Sequence, residues 1–185
     1  MYTDVLIAGC GCSGLYCALN IPRNKKVTLI TKSDKESSDS FLAQGGICVM
    51  KDQKDHDSFF EDTMKAGHYE NNRESVEIMI RSSQSVIGDL IGYGVDFTKE
   101  QEGGFAYTKE GAHSTNRILF YQDITGKEIT GKLLREAARR PNIRILEHTT
   151  LTDILCEGQR CAGAVIQTEE HAMEQVMAGV VVLAT

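Results

Sequence analysis

Short apolar runs alternate with longer amphipathic stretches along most of this chain. Residues 5–8 are apolar and end in Gly9-x-Gly11-x-x-Gly14; a small-residue helical pattern over 13–21 stops at Pro22, and a second apolar run follows at 26–31. This order predicts a βαβ unit over residues 3–32. Residues 33–40 are polar, with four serines, and predict a loop. The apolar segment 41–50 then carries adjacent Gly45 and Gly46, a pattern that fits a backbone pressed against something flat or charged.

Residues 57–94 read as helical. The first helix covers 57–67, with Asp57 or Ser58 as cap and Phe59, Phe60, Thr63 and Met64 on one face. The second covers about 73–93, with Val76, Met79, Ile80, Val86, Ile87, Leu90 and Ile91 as its apolar positions. Short strands are expected at 95–97 and 105–108, and extended chain at 117–121. Thr125-Gly126 opens a helix over 127–139 that Pro141 stops. The region 143–185 is β-rich, with strands at 143–148, 151–157, 161–168 and 172–183 and a hairpin signal at Glu157-Gly-Gln-Arg160. The fold class is therefore α/β: a Rossmann-like domain with a parallel central sheet plus an antiparallel β-meander. The last apolar run ends at Ala184-Thr185, on the edge where ligands bind in such sheets, so the chain is expected to be the N-terminal part of a larger domain.

Composition narrows the chemistry. A chain of 185 residues suits one domain or little more, and its net charge of −6 argues against nucleic acid or an acidic membrane as partner. No apolar run reaches membrane-spanning length, and no leader pattern precedes the first strand, so a cytoplasmic location is expected. The six cysteines form no CxxC pair and no metal-ligand spacing, and are expected to be mostly small buried fillers. Cys10 and Cys12, near a helix N-terminus, are candidates for lowered thiol pKa values and a minor redox role.

The glycine spacing carries the strongest signal. Gly9 permits a sharp turn out of the strand, Gly11 lets backbone approach a pyrophosphate, and Gly14 lets the helix pack closely on the sheet. The anion would then sit at a helix N-terminus. The alternative is a tight glycine turn in an unrelated α/β domain. Lys32 stands where the dinucleotide fingerprint usually has a ribose-binding acid, which disfavours NAD and leaves NADP or a solvated lysine open.

Several motifs beyond the fingerprint resemble one family. Ala43-Gln-Gly-Gly-Ile47 is similar to the flavin-contacting segment of succinate dehydrogenase and fumarate reductase flavoproteins and of L-aspartate oxidases. Glu110-Gly-Ala-His-Ser114, Arg117-Ile-Leu119 and Asp123-x-Thr-Gly126 resemble the L-aspartate oxidases more narrowly. The resemblance runs over the whole chain and implies FAD as cofactor.

It places Gly9, Cys10, Gly11, Cys12, Ser13 and Gly14 at the pyrophosphate, Lys32 near the adenosine, and backbone near Leu151 at the adenine. Asp39, Ser40, Phe41, Leu42 and Ala43 would wrap the cofactor, with Gln44, Gly45 and Gly46 nearest the flavin. Asp39 matches the position of a histidine that tethers FAD in membrane-associated relatives, so FAD is expected to be non-covalent. Glu110 would orient the substrate ammonium, with His113 and Ser114 beside it. By their residues alone, Glu110 reads first as a surface glutamate in a polar loop, and His113 as a hydrogen-bonded loop histidine rather than a catalyst.

The reaction implied is oxidation of L-aspartate to iminoaspartate, with oxygen or fumarate as acceptor, on the route to quinolinate and NAD, with quinolinate synthase as a possible partner. No catalytic residue is assignable within 1–185, and these residues alone are expected to be inactive and marginally stable. The alternatives are a fumarate reductase-type flavoprotein and a non-catalytic nucleotide-binding module. Phe120 and Ala112 depart from the family pattern, where histidine and glycine are common.

Overall fold

The computed structural model describes residues 1–185 and divides into two compact units, Met1–Leu42 with Ile129–Thr185, and Ala43–Glu128. The first unit is built on a six-stranded sheet of order β6-β2-β1-β9-β8-β7. Its strands are β1 (Tyr2–Ala8), β2 (Val27–Ile30), β6 (Ile143–Leu146), β7 (Thr150–Glu157), β8 (Arg160–Gln167) and β9 (Met173–Leu183). β6, β2, β1 and β9 run parallel, and β9, β8 and β7 form the antiparallel meander. Both expected sheet components therefore lie in one sheet, joined along β9. β2 is buried at every position, as a central parallel strand requires.

Helix α1 (Cys12–Asn20) buries Gly14, Leu15, Ala18 and Leu19. These small and aliphatic residues recur at helical spacing and give the helix one packing face. Helix α2 (Asp39–Leu42) occupies the end of the stretch read as loop and continues past it. The hairpin at Gly158 forms as expected, with φ of 62° at the glycine.

The second unit contains a small sheet of order β3-β5-β4: β3 (Ile47–Cys48), β5 (Ile118–Leu119) and β4 (Tyr107–Thr108). Beside it are α3 (His56–Ala66) and α4 (Arg73–Gly92), packed through Phe59, Met64, Val76 and Ile80. α5 (Thr125–Ala138) begins in this unit and continues into the first.

The start of α3 differs from expectation. Neither Asp57 nor Ser58 caps it; a 3-10 turn, Gln53–Asp55, precedes it, and the Asp52 side chain accepts the Lys54 and Asp55 amides of that turn. Ser58 instead donates to the Asp55 carbonyl and carboxylate. On α4, Met79 and Ile91 are exposed, so the buried stripe is narrower than the run of apolar residues. Residues 95–97 form no strand. The Val95 amide donates to Leu90 at the end of α4, and the Asp96 amide to the Glu128 carboxylate, which uses the donors a ladder would need.

Candidate functional site

In the first unit, a cleft of about 450 Å³ opens at the C-terminal ends of β1 and β2. Gly9, with φ of 117°, leaves β1 in a conformation that L-residues rarely adopt, and a Cβ there would overlap the Ala184 carbonyl. A Cβ on Gly14 would overlap the Gly9 carbonyl oxygen, so both glycines are required by contact within the chain. Gly11 caps α1 with no side-chain hydrogen bond, and the first turn holds no acid. The first-turn amides thus form a positive, uncapped helix end beside the cleft. A Cβ on Gly11 would stand 2.9 Å from the Ser40 hydroxyl, so the serine-rich segment lies close against the glycine turn.

Of the expected cofactor residues, Gly9, Cys10, Gly11, Ser13, Lys32, Asp39, Ser40 and Leu151 line this cleft together. Cys12, Gly14, Phe41 and Leu42 do not; Gly14 is buried behind the turn, and Leu42 is exposed. The thiol expectation reverses. Burial, with the nearby Glu147 charge, pushes Cys10 up to about 11, and burial raises Cys12 as well. Burial disfavours the charged thiolate at both positions, the opposite of the direction expected from the helix start. Only Cys10 of the six cysteines is fully buried, and Cys156 is exposed, so the filler expectation holds for Cys10 alone.

The segment 33–38 is tied down by contacts that its own residues gave no sign of. The Lys35 amide and ammonium both donate to the Glu147 carboxylate, at 2.8 and 2.9 Å. His148, at φ of 50°, reaches Asp34 at 3.2 Å, and the Thr149 amide donates to the Thr31 carbonyl. The hydrogen bonds from the Lys35 amide and ammonium hold the Glu147 carboxyl below its ordinary value. Its contribution to stability is present above the unfolded glutamate range and is lost as pH falls through the lowered folded value. Glu147→Gln is therefore expected to lower the unfolding midpoint at neutral pH, with the difference from wild type closing on acidification. Urea melts of both proteins from pH 7 to 3 check this; a pH-independent gap would refute it.

In the second unit, Ala43, Gln44, Gly45 and Gly46 form an exposed strip. The Ala43 carbonyl accepts the Gly126 amide at one end. At the other, a Cβ on Gly46 would overlap Ile118 and the Leu119 carbonyl, so the expected close approach is to β5. A Cβ on Gly45 would lie 3.3 Å from a Glu110 carboxylate oxygen. Glu110 is exposed, and its carbonyl accepts the His113 amide. The His113 Nε2 lies 3.1 Å from the Cys48 thiol, and its Nδ1 is buried without a partner. The Ser114 amide and hydroxyl both donate to Asp62. The three expected substrate-side residues thus share one loop, next to Gly45.

The sequence reading missed the centre of that arrangement. Arg117 is fully buried and ion-paired to Asp55 at 2.8 Å and to Asp62 at 2.5 Å. Its guanidinium also donates to Ser58 and lies over the Phe59 ring. Burial works against ionisation of Asp55 and Asp62. The hydrogen bonds from Arg117, from Ser58 to Asp55 and from Ser114 to Asp62 outweigh it and hold both carboxyls low. Arg117-Ile-Leu119 stands out in the sequence as a motif resembling the L-aspartate oxidases, in a segment that reads as extended, but nothing in it shows that the arginine is buried or which carboxylates it meets.

A parallel sheet with a glycine turn, an uncapped helix start and a cleft at the strand ends defines a dinucleotide-binding module. Residues 4–185 match the FAD binding domain family, and the chain belongs to it. FAD is the cofactor that membership indicates, and the cleft fits its diphosphate through the uncapped amides of α1 and the side-chain-free surface of Gly11.

Among curated relatives, the chain is 43% identical over 182 residues to L-aspartate oxidase of Clostridium perfringens, covering 98% of this chain and 41% of that protein. It is 44% identical over 162 residues to L-aspartate oxidase of Clostridium acetobutylicum, covering 88% of this chain and 37% of that protein. Among solved structures, Mycobacterium smegmatis Sdh1 in complex with UQ1 superposes with a TM-score of 0.91 at 25% identity, over all of this chain and 34% of that one. An E. coli quinol fumarate reductase superposes with a TM-score of 0.93 at 24% identity, over all of this chain and 32% of that one, a likeness of fold. The chain therefore spans about 40% of the length of the curated relatives. No helix is long and apolar enough to cross a membrane.

Proposed function

We propose that the protein oxidises L-aspartate to iminoaspartate with non-covalently bound FAD, and passes electrons to oxygen or fumarate. The reading is supported by the identity to L-aspartate oxidases. The observation that carries it is the Glu110 carboxylate beside Gly45, in the segment whose family counterpart meets the flavin. When bound, FAD would supply the redox chemistry, as the acceptor for a hydride from the substrate Cα. The α1 amides and Gly11 would hold its pyrophosphate, and Lys32 and Leu151, which line the same cleft, would flank the adenosine. Asp39 offers no imidazole for a covalent tether. On the substrate side, Glu110 pairs with the ammonium of aspartate, a group that succinate and fumarate lack, and so favours an amino acid over a plain dicarboxylate. The product would feed quinolinate formation, with quinolinate synthase as the partner that consumes it, in the cytoplasm.

Glu110→Gln removes the charge that meets the ammonium, and the expected result is a rise in KM for L-aspartate of about 10- to 100-fold, the equivalent of one charge-assisted hydrogen bond. Aspartate-dependent peroxide formation by the FAD-loaded, full-length protein measures it, and an unchanged KM removes Glu110 from the site. Activity with fumarate and a reduced dye, but none with aspartate, would select the fumarate reductase reading. A protein that binds NAD but no flavin would select the non-catalytic module.

A further inference from the structure

We infer that Asp62 is the positioning residue of the substrate-side loop: one carboxylate oxygen on α3 joins the Ser114 amide, the Ser114 hydroxyl and the buried Arg117 guanidinium, and so sets where Glu110 stands. The contacts are 2.8 Å from the Ser114 amide, 2.7 Å from its hydroxyl and 2.5 Å from Arg117 Nη1, all to Oδ2. Glu110 is joined to this anchor through the His113 amide, which donates to the Glu110 carbonyl at 2.9 Å. Residues 109–112 are exposed and carry no regular structure, and besides Asp62 the loop is held by His113 Nε2, 3.1 Å from the Cys48 thiol, and by the Thr115 hydroxyl on Asp55.

Asp62 has a different task from Asp55. Asp55 takes Arg117 through Nε and Nη2 and also receives the Ser58 and Thr115 hydroxyls, so it closes the core around the guanidinium. Asp62 alone of the two bonds the loop's backbone amide. The Arg117 carbonyl accepts the Val49 amide just past β3, and the strand that follows Arg117 lies against Gly46. The ion cluster thus joins β5 on one side to the Glu110 loop on the other, and removal of Asp62 frees the loop while Asp55 still pairs Arg117 through Nε and Nη2. A charge-assisted hydrogen bond to a backbone amide is a strong, directional tether.

The assignment of a substrate to this loop rests on the proposed function above; the tether itself does not. The test uses the full-length, FAD-loaded protein with Asp62→Asn and Asp62→Ala, read by amide hydrogen exchange and by steady-state kinetics. Exchange over residues 110–116 is expected to rise at least tenfold in both variants, with protection in α4 and the β1–β2 region unchanged. KM for L-aspartate is expected to rise about tenfold or more while kcat changes less than about threefold, because a misplaced Glu110 loses ground-state binding of the ammonium. If Asp62→Ala does not fold, Asp62→Asn, which keeps the shape and a neutral acceptor, decides alone. Unchanged exchange over 110–116, or a uniform loss of protection through α3 and α4, would overturn the proposal. If the wild-type protein does not turn over aspartate, the functional reading fails, while the exchange result still decides the tether.

Discussion

Arg117→Met is expected to destabilise the protein by about 3–5 kcal/mol, the cost of breaking a buried ion pair from one side. The guanidinium is fully buried, and Asp55, at 7% exposure, is nearly so. Methionine fills much of the space over Phe59 but leaves two carboxylates without a counter-charge. Those carboxylates must then protonate, find water or unfold the region around the start of α3. Denaturant unfolding of wild type and variant measures the loss. Adding Asp55→Asn to Arg117→Met is expected to recover part of it, because one uncompensated charge is gone. A cost below about 1 kcal/mol for the single variant would mean that the cluster contributes packing and little electrostatic support.

Gly9→Ala is the second large effect, at about 2–5 kcal/mol. Two penalties add at this position. The backbone sits at φ of 117°, and the new methyl would overlap the Ala184 carbonyl, which is held in place by the Ala184 amide donating to Ala8. Gly94 separates the two penalties: it also has positive φ, 88°, but nothing stands within 4 Å of its would-be Cβ. Gly94→Ala should therefore cost only about 1–2 kcal/mol, the conformational share. FAD retention on gel filtration is expected to fall for Gly9→Ala and to stay at the wild-type level for Gly94→Ala. Equal stability losses in the two variants would show that the contact with Ala184 is soft.

Much of the first unit could be read without coordinates. Each βαβ element announces itself locally: an apolar run, a glycine turn, a small-residue helix and a proline stop. The meander was equally legible, because its strands have turn residues between them and its hairpin glycine takes the positive φ that the turn demands. The failures share a cause. Residues 95–97 carry strand-like apolar residues, yet Val95 and Phe97 are buried by packing, Phe97 edge-on to Phe105, and their segment's amides are taken by α4 and Glu128. Composition points to Asp57 or Ser58 as the α3 cap, whereas the upstream turn recruits Asp52 and changes which donors are free. The position of Cys10 and Cys12 near a helix start suggests lowered thiol pKa values, whereas burial, a tertiary quantity, sets the opposite direction.

By itself, the order of residues determined the class of the first unit and the glycine turn at the start of α1, because these depend on neighbours within a few positions. Only the tertiary structure decided that Lys35 clamps Glu147, that Asp62 holds Ser114, and that Arg117 is a buried ion and no surface charge. Those contacts join residues 112, 52 and 62 positions apart for Lys35–Glu147, Asp62–Ser114 and Asp55–Arg117. No local periodicity records such partners, since a carboxylate and a cation read as solvated until the fold removes their water and leaves them each other.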